Sequence, residues 1–343
     1  MEKDVSKKNR LSWVDGCKGL AIIVVVLYHV TMGLSEAGIL QNNTFLEYFW
    51  VYATATATPV FFILSGFFIE RSVSKSGHMG YLKTSLHYVL FPYLLWSLIQ
   101  WAMKLAFASY VNTNVAPDPT FLLNAPIGQF WFLHALFFAQ IVYILLHKYH
   151  NKHYVPVAAA FMAIAFLLSP YQTLSEDLRA VSFVLLGAFA RRAQLQDKIT
   201  GINWTVISIA TLIFSGPLYD NVMIPAGFQN TSNFLGGIAA TILLAAAFMK
   251  WEAPVSLQVL GKYSMYIFVL HIMFLVPFRI ALMKAGLISP AITIPVCTLI
   301  GLTLPIIFAI IVEYLGITAY MGIKSVAYFK IPRPENKKPL GSL

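Results

Sequence analysis

A lysine and a histidine lie eleven residues apart in the first long apolar stretch of the chain, residues 13–31, WVDGCKGLAIIVVVLYHVT. In an α-helix this spacing places Lys18 and His29 on one face, about 16 Å apart along the axis. Ionisable side chains are costly inside a bilayer and usually serve a function there. A cation at a membrane surface, below a deep imidazole, could anchor an anion beneath a reaction centre. An interfacial lysine and a histidine bonded to a neighbouring helix would also explain the pattern.

A second apolar stretch carries a further group of polar residues, in the run TPVFFILSGFFIER at 58–71. Pro59 kinks a helix and frees backbone groups that must face protein or a cavity. Ser65 and Gly66 allow another helix to approach closely. No base is adjacent to Ser65 in the sequence, so packing explains it better than a nucleophilic role. Arg71 could bind phosphate through two parallel hydrogen bonds, or it could simply mark the end of a membrane helix.

Three later residues could join the same site. Trp131 opens an apolar stretch with two phenylalanines, which fits either an aromatic belt at a membrane surface or a platform on which a sugar stacks. His271 lies about two turns inside another stretch, and Arg279 follows it by eight residues. Intramembrane ionisable residues normally face the interior of a helix bundle. We therefore expect His29, His271 and Arg279 to line one cavity.

The composition identifies a polytopic membrane protein. Of 343 residues, 58% are hydrophobic and only 11% are charged, whereas soluble domains carry about 25% charged residues. The two cysteines allow neither a disulfide framework nor a CxxC metal motif, and we predict no metal site. Hydropathy predicts an all-α protein with about ten transmembrane helices. They cover residues 14–34, 47–70, 83–108, 129–148, 154–169, 176–192, 203–219, 232–250, 263–284 and 290–317.

The distribution of positive charge predicts the orientation of these helices. With the N-terminus in the cytoplasm, all but four of the 24 lysines and arginines fall on the cytoplasmic side, as the positive-inside rule requires. The exceptions are Lys104, Arg179, Arg279 and Lys284. The net charge of +10 thus reflects topology and does not indicate binding to nucleic acid. We predict cytoplasmic termini, one membrane domain at 1–318 and a short basic tail at 319–343.

These stretches together resemble the integral-membrane acyltransferase family 3. Lys18, ten intervening residues and His29 look like that family's Arg/Lys-x10-His motif. The run PVFFILSGFFIER is similar to its PxFFxxSGF segment followed by a basic residue. The opening WxDxxKG also resembles a sugar O-acetylase branch, the fucose-4-O-acetylase-like proteins, although Ala57 stands where that branch often has a histidine. Weaker similarities lie at residues 90–96, 130–137 and 263–271.

The resemblance implies transfer of an acyl group, usually acetyl from cytoplasmic acetyl-CoA, to a hydroxyl of a surface or lipid-linked glycan. It implies acyl-CoA as a co-substrate, no permanently bound cofactor, and a location in the cell's inner membrane. Lys18, Arg71 and Arg10 would meet the CoA phosphates, and Asp15 would orient Lys18. His29 would act as the general base, since imidazole titrates near neutral pH. Ser65, Trp131, His271 and Arg279 are supporting candidates.

Two other classes fit the same residues. A transporter or flippase could use His29 and Arg279 in a proton or substrate pathway, and it would move a substrate without consuming acyl-CoA. A non-catalytic sensor or scaffold is the second alternative. The sequence leaves open the sugar, the acylated position, the length of the acyl group, the leaflet of acceptor entry, direct transfer against an acyl-enzyme, and the oligomeric state.

Overall fold

The computed structural model describes residues 11–40, 43–106, 118–119, 125–149, 153–199, 203–214 and 226–326. All regular structure in these ranges is helical, which confirms the all-α prediction. The α-helices are α1 (Ser12–Glu36), α2 (Thr44–Ser85), α3 (Phe91–Ala106), α4 (Trp131–Tyr149), α5 (Tyr154–Leu167), α6 (Gln172–Arg192), α7 (Gln196–Ile199), α8 (Trp204–Phe214), α9 (Ala226–Lys250), α10 (Val255–Lys262), α11 (Ser264–Lys284) and α12 (Pro290–Leu315).

The chain is a multi-pass membrane protein. Five helical segments in the described ranges are long and apolar enough to cross a bilayer. These segments are Ser12–Glu36, Thr44–Ala106, Gly128–His147, Ser264–Lys284 and Pro290–Leu315. Each of the ten predicted spans overlaps a helix, and the second and third both lie in the segment Thr44–Ala106. Ten crossings and cytoplasmic termini remain predictions.

A bend in α2 separates the second predicted span from the third. Gly77 has a φ of 70° inside the helix, a left-handed conformation that glycine adopts without steric cost. The chain stays helical beyond it, through a π-helix at Leu86–Leu90 that leads into α3. The predicted membrane spans end at residue 70 and resume at residue 83, and the polar run between them is helical as well. The bend returns Tyr81 and Ser85 to the interior, where both are buried.

Glycines hold the helices around α1 and α2 at short distances. A Cβ at Gly19 of α1 would overlap the backbone carbonyl of Leu257, and one at Gly261 of α10 would overlap the carbonyl of Asp15. Gly66 of α2 lies in the same way against Val184 of α6. Such contacts let two backbones pack without an intervening side chain. Gly66 is therefore a packing residue, and its contact fixes the face that the neighbouring Ser65 presents.

The chain after α12 folds back onto α3. Gly316 and Gly322, both with positive φ, flank a 3-10 helix at Thr318–Met321. The indole of Trp96 donates a hydrogen bond of 3.2 Å to the carbonyl of Met321. The side chain of Ile323 is buried. This segment is thus part of the packed structure up to residue 326, the last residue described.

Candidate functional site

Two cavities lie along α1 and share one wall. The large cavity has a volume of about 640 Å³ and runs along the second half of α1, where it is lined by His29. The small cavity has a volume of about 290 Å³ and lies at the start of α1, where it is lined by Lys18. Phe61, Phe132 and Phe268 line both cavities and so separate them.

The shared wall is a cluster of aromatic rings from three helices, which we call the phenylalanine partition. The ring of Phe132 from α4 lies 6.0 Å from that of Phe61 and 5.1 Å from that of Phe268, centre to centre. Phe132 and Phe268 are both buried. These spacings are typical of favourable edge-to-face and tilted aromatic pairs. The rings are side chains, so rotation about their χ angles can change the width of the partition.

The small cavity combines two lysines with hydroxyl groups. Lys18 comes from α1, and Lys324 comes from the segment that follows α12. The ammonium of Lys324 lies 4.8 Å from the centre of the Tyr88 ring, a cation–π distance. Burial lowers the pKa of Lys324, because the charged form loses hydration. The hydroxyl-bearing lining residues are Ser65, Ser72, Tyr81, Thr84, Ser85, Tyr88 and Ser264.

The large cavity is mainly apolar near its centre and carries its charged residues on the second half of α1 and on the ends of α3 and α11. Its ionisable and amide-bearing lining residues are Tyr28, His29, Glu36, Gln100, Lys104, Gln129, Arg279 and Lys284. Trp131 also lines this cavity. Gln100 and Gln129 exchange two hydrogen bonds, of 3.2 and 2.8 Å. Because these side chains hold each other, the wall formed by α3 and the 3-10 turn Gly128–Phe130 before α4 presents fixed amide groups.

His29 packs against a second histidine. The ring centres of His29 and His271 lie 5.0 Å apart. His271 is fully buried, and its Nδ1 lies 2.9 Å from the carbonyl oxygens of both Ile267 and Phe268. A carbonyl oxygen only accepts, so Nδ1 must carry the proton. In the neutral imidazole Nε2 of His271 is then a buried acceptor, and within the described residues it has no hydrogen-bond partner.

Arg279 reaches the same cavity from α11. Its guanidinium covers Gly33, where a Cβ would overlap one of the terminal nitrogens. The side chain is 7% exposed, and its Nε has no hydrogen-bond partner in the part of the chain that is described. Of the three residues expected to line one cavity, two do so and the third, His271, does not. His29 and Arg279 line the large cavity, and His271 lies directly behind His29.

The other predicted residues are more dispersed. Ser65 lines the small cavity with Lys18, and Trp131 lines the large one. Asp15 is buried where α1 meets α10 and lines neither cavity. Arg71 is exposed on α2 and also lines neither. Arg10 lies outside the described residues.

Several lining residues were missed by the sequence reasoning. Glu36 follows His29 by seven residues, which is two helical turns, so the spacing that linked Lys18 to His29 could also have found it. Lys104 and Lys284 appeared only as exceptions to the positive-inside rule. A cation on the side of the membrane where cations are rare could have marked both as candidate site residues. Lys324 gave no local signal, because it joins the small cavity only through the fold of the segment after α12.

Comparison with known proteins identifies one family. The family model for acyltransferase family 3, described as an acyltransferase domain, matches residues 11–312. The chain is also 22% identical over 269 residues to nodulation protein NolL of Mesorhizobium japonicum, an alignment that covers 73% of this chain and 71% of NolL. No solved structure matches the chain. The match to the family model includes both cavities except for Lys324.

Proposed function

The chain belongs to acyltransferase family 3 and is a multi-pass membrane acyltransferase, and we propose that it moves an acetyl group from acetyl-CoA to a hydroxyl of a glycan. The observation that carries this proposal is the pair of cavities that meet at the phenylalanine partition. One cavity is small and basic, and the other is larger and contains His29. Two substrates that approach from opposite ends would meet at this histidine.

The small cavity suits the donor. Lys18 and Lys324 supply the positive charge that a CoA phosphate requires. The narrow space suits the slender thioester arm, with the nucleotide remaining outside. The positive-inside rule supports a cytoplasmic position for this end of α1, where acetyl-CoA is found. Arg71, exposed on α2, and Arg10 are proposed as outer contacts to the nucleotide, and Asp15 as a residue that orients Lys18.

The partition must open for the reaction to occur. His29 lies on the large-cavity side, whereas both lysines of the small cavity lie on the other side. The thioester can reach His29 only by passing Phe61, Phe132 and Phe268. An acetyl group carries only one methyl on its carbonyl carbon, so its passage requires little displacement of the rings. This favours acetyl over longer acyl groups.

The chemistry follows from a neutral histidine. His29 accepts the proton of the acceptor hydroxyl, and the oxygen attacks the thioester carbonyl. The tetrahedral intermediate collapses with loss of the CoA thiolate, which takes the proton from His29. Oxygen–carbon bond formation balances carbon–sulfur cleavage, and His29 returns to its starting form. His271 acts as a positioning residue, because its Nε2 can accept an N–H from His29 and so fix the tautomer.

The large cavity suits a carbohydrate. Trp131 offers an aromatic surface, and the fixed amides of Gln100 and Gln129 offer carbonyl oxygens as acceptors and one remaining N–H of Gln100 as a donor for hydroxyl groups. A transporter could also use two such cavities, but the family match favours the enzyme, because the matching domain is an acyltransferase domain. We therefore propose that the acceptor is a cell-surface or lipid-linked glycan.

The test is an acyl-transfer assay with labelled acetyl-CoA in membranes that contain the protein. His29→Ala should lower the rate of transfer to glycan by about 100- to 10,000-fold at equal abundance, the usual contribution of general acid–base catalysis. The matched control is His153→Ala, since His153 is exposed and lines neither cavity. A normal rate in His29→Ala would disprove the mechanism. Absence of acetyl-CoA consumption by the wild type would disprove the function.

A further inference from the structure

The charges that line the large cavity are unequal. Among the described residues that line it, besides His29, three are cations, Lys104, Arg279 and Lys284, and one is a carboxylate, Glu36. These residues lie toward the end of the cavity away from the small cavity. An apolar cavity with an excess of positive charge favours a negatively charged ligand, since the surrounding low dielectric strengthens the attraction.

Arg279 is the strongest of these signals. Arg279 is more than nine-tenths buried, and its Nε has no hydrogen-bond partner in the described ranges. Glu36 acts on it electrostatically, but no close ion pair joins the two among the described residues. A buried charge is costly unless a partner compensates it. The guanidinium borders the cavity and has five N–H donors arranged in a planar fork. This geometry matches a carboxylate or a phosphate.

The position of the guanidinium relative to His29 indicates how far the anionic group of a ligand lies from the hydroxyl that reacts. It covers Gly33, which follows His29 on α1 by four residues, or about 6 Å along the axis. The spacing along α11 is consistent with this axial distance between the guanidinium and His29. Arg279 follows His271 by eight residues, about 12 Å, and helical side chains lean back toward the N-terminus of their helix.

We propose that the acceptor is an anionic saccharide, with a carboxylate or phosphate held by Arg279 within about one sugar residue of the hydroxyl that His29 activates. The proposal rests on the acyl-transfer function above and specifies its acceptor. A sugar carboxylate and a sugar phosphate share the required chemistry. At an axial separation of about 6 Å from His29, the guanidinium is placed to hold a group of the acceptor and not the thioester oxygen.

The first test is anion binding by the full-length protein in phosphatidylcholine nanodiscs, which carry no net lipid charge. The probes are glucuronate, glucose 1-phosphate and neutral glucose, and the readout is the rise in Tm with probe concentration. We expect either anionic probe to act at a concentration at least about tenfold below that of glucose, the effect of one charge-assisted hydrogen bond. Comparison of the two anions distinguishes carboxylate from phosphate.

Three variants determine whether this binding depends on the large cavity. Arg279→Gln should abolish the preference for anions, whereas Arg179→Gln, outside both cavities, should retain it. Glu36→Gln removes the carboxylate among the described lining residues and should strengthen anion binding. This opposite effect keeps the test valid if Arg279→Gln folds poorly. An equal response to all three probes in the wild type, or an unchanged preference in both Arg279→Gln and Glu36→Gln, would overturn the proposal.

Mass spectrometry of the acylated glycan separates this proposal from the function on which it rests. Acyl groups on a sugar that carries or adjoins a carboxylate or phosphate would support both. Acyl groups confined to neutral glycans, together with no anion preference, would overturn the proposal and leave the acyltransferase function intact. Arg279-dependent anion binding without any acyl transfer would retain the anion site and overturn the function.

Discussion

The two cavities differ in volume, in charge and in the polar groups that line them, and these differences suit two different substrates. The small cavity has hydroxyl groups and two lysines, and its space is limited to about 290 Å³. The large cavity has more than twice the volume and a wall of aromatic and amide side chains. Its described lining residues carry more positive than negative charge, on the second half of α1 and the ends of α3 and α11. The histidine lies on the large side of the partition. If the donor occupies the small cavity and the acceptor the large one, as proposed, the thioester has to pass the partition to reach His29, and the partition would then select among acyl groups.

The largest effect that distinguishes the two cavities is expected from a substitution of Lys18, which should change the KM of one substrate only. Lys18→Ala should raise the KM for acetyl-CoA by about tenfold to a hundredfold, the loss of one hydrogen bond to a charged group at about 1.5–3 kcal/mol. The KM for the acceptor should stay constant, because Lys18 lines only the small cavity. Initial rates with each substrate varied in turn measure both constants.

Lys75→Ala is the matched control for this experiment, since Lys75 is exposed on α2 and lines neither cavity. A rise in acceptor KM equal to the rise in donor KM would contradict the division of the two substrates between the cavities.

A smaller effect, on kcat, is expected from substitution of His271, which packs against His29. His271→Ala should lower kcat by about tenfold with little change in either KM, because a misplaced base reacts slowly while the substrates still bind. His271→Asn keeps a side-chain acceptor and should recover part of kcat. Steady-state kinetics of both variants at equal abundance provide the measurement. Equal losses in the two variants would mean that His271 serves only packing.

The smallest effect is expected at the partition itself. Phe132→Leu should improve the use of propionyl-CoA relative to acetyl-CoA by about fivefold to tenfold, the lower end of the range of about 1–3 kcal/mol by which one methylene in an apolar site changes discrimination. Competition between the two donors gives the ratio of their kcat/KM values.

Phe137→Leu on the same helix is the control for the partition experiment, because Phe137 contacts neither cavity. An unchanged preference in Phe132→Leu would show that the rings do not select the acyl chain.

The helices and the central pair of residues could be predicted because their signals are local. Apolar length predicts a membrane helix, and an eleven-residue spacing places Lys18 and His29 on one face regardless of the neighbouring helices. The expected meeting of His29 with His271 also rests on a local rule, since both are ionisable residues deep in apolar helices. That rule names the candidates without giving the distance between them.

The remaining features depend on tertiary structure. The bend at Gly77 follows a polar run that resembles a loop in the sequence, although the chain there is helical. Arg71 has the residue type of a phosphate ligand, but its rotation about α2 exposes it, and no property of the segment 58–71 alone predicts that rotation. Lys324 reaches the small cavity only because Trp96 and the buried Ile323 fix the segment after α12 against α3.

The position of Lys324 has a consequence for the biosynthesis of the enzyme. One wall of the small cavity is made by residues near the start of the chain, such as Lys18, and another by a segment about three hundred residues later. The proposed donor site would therefore be incomplete on a nascent chain until α12 has entered the membrane and the following segment has left the ribosome. If the substrates divide between the cavities as proposed, a partly synthesised chain would form the large cavity while it still lacks a complete binding site for acyl-CoA.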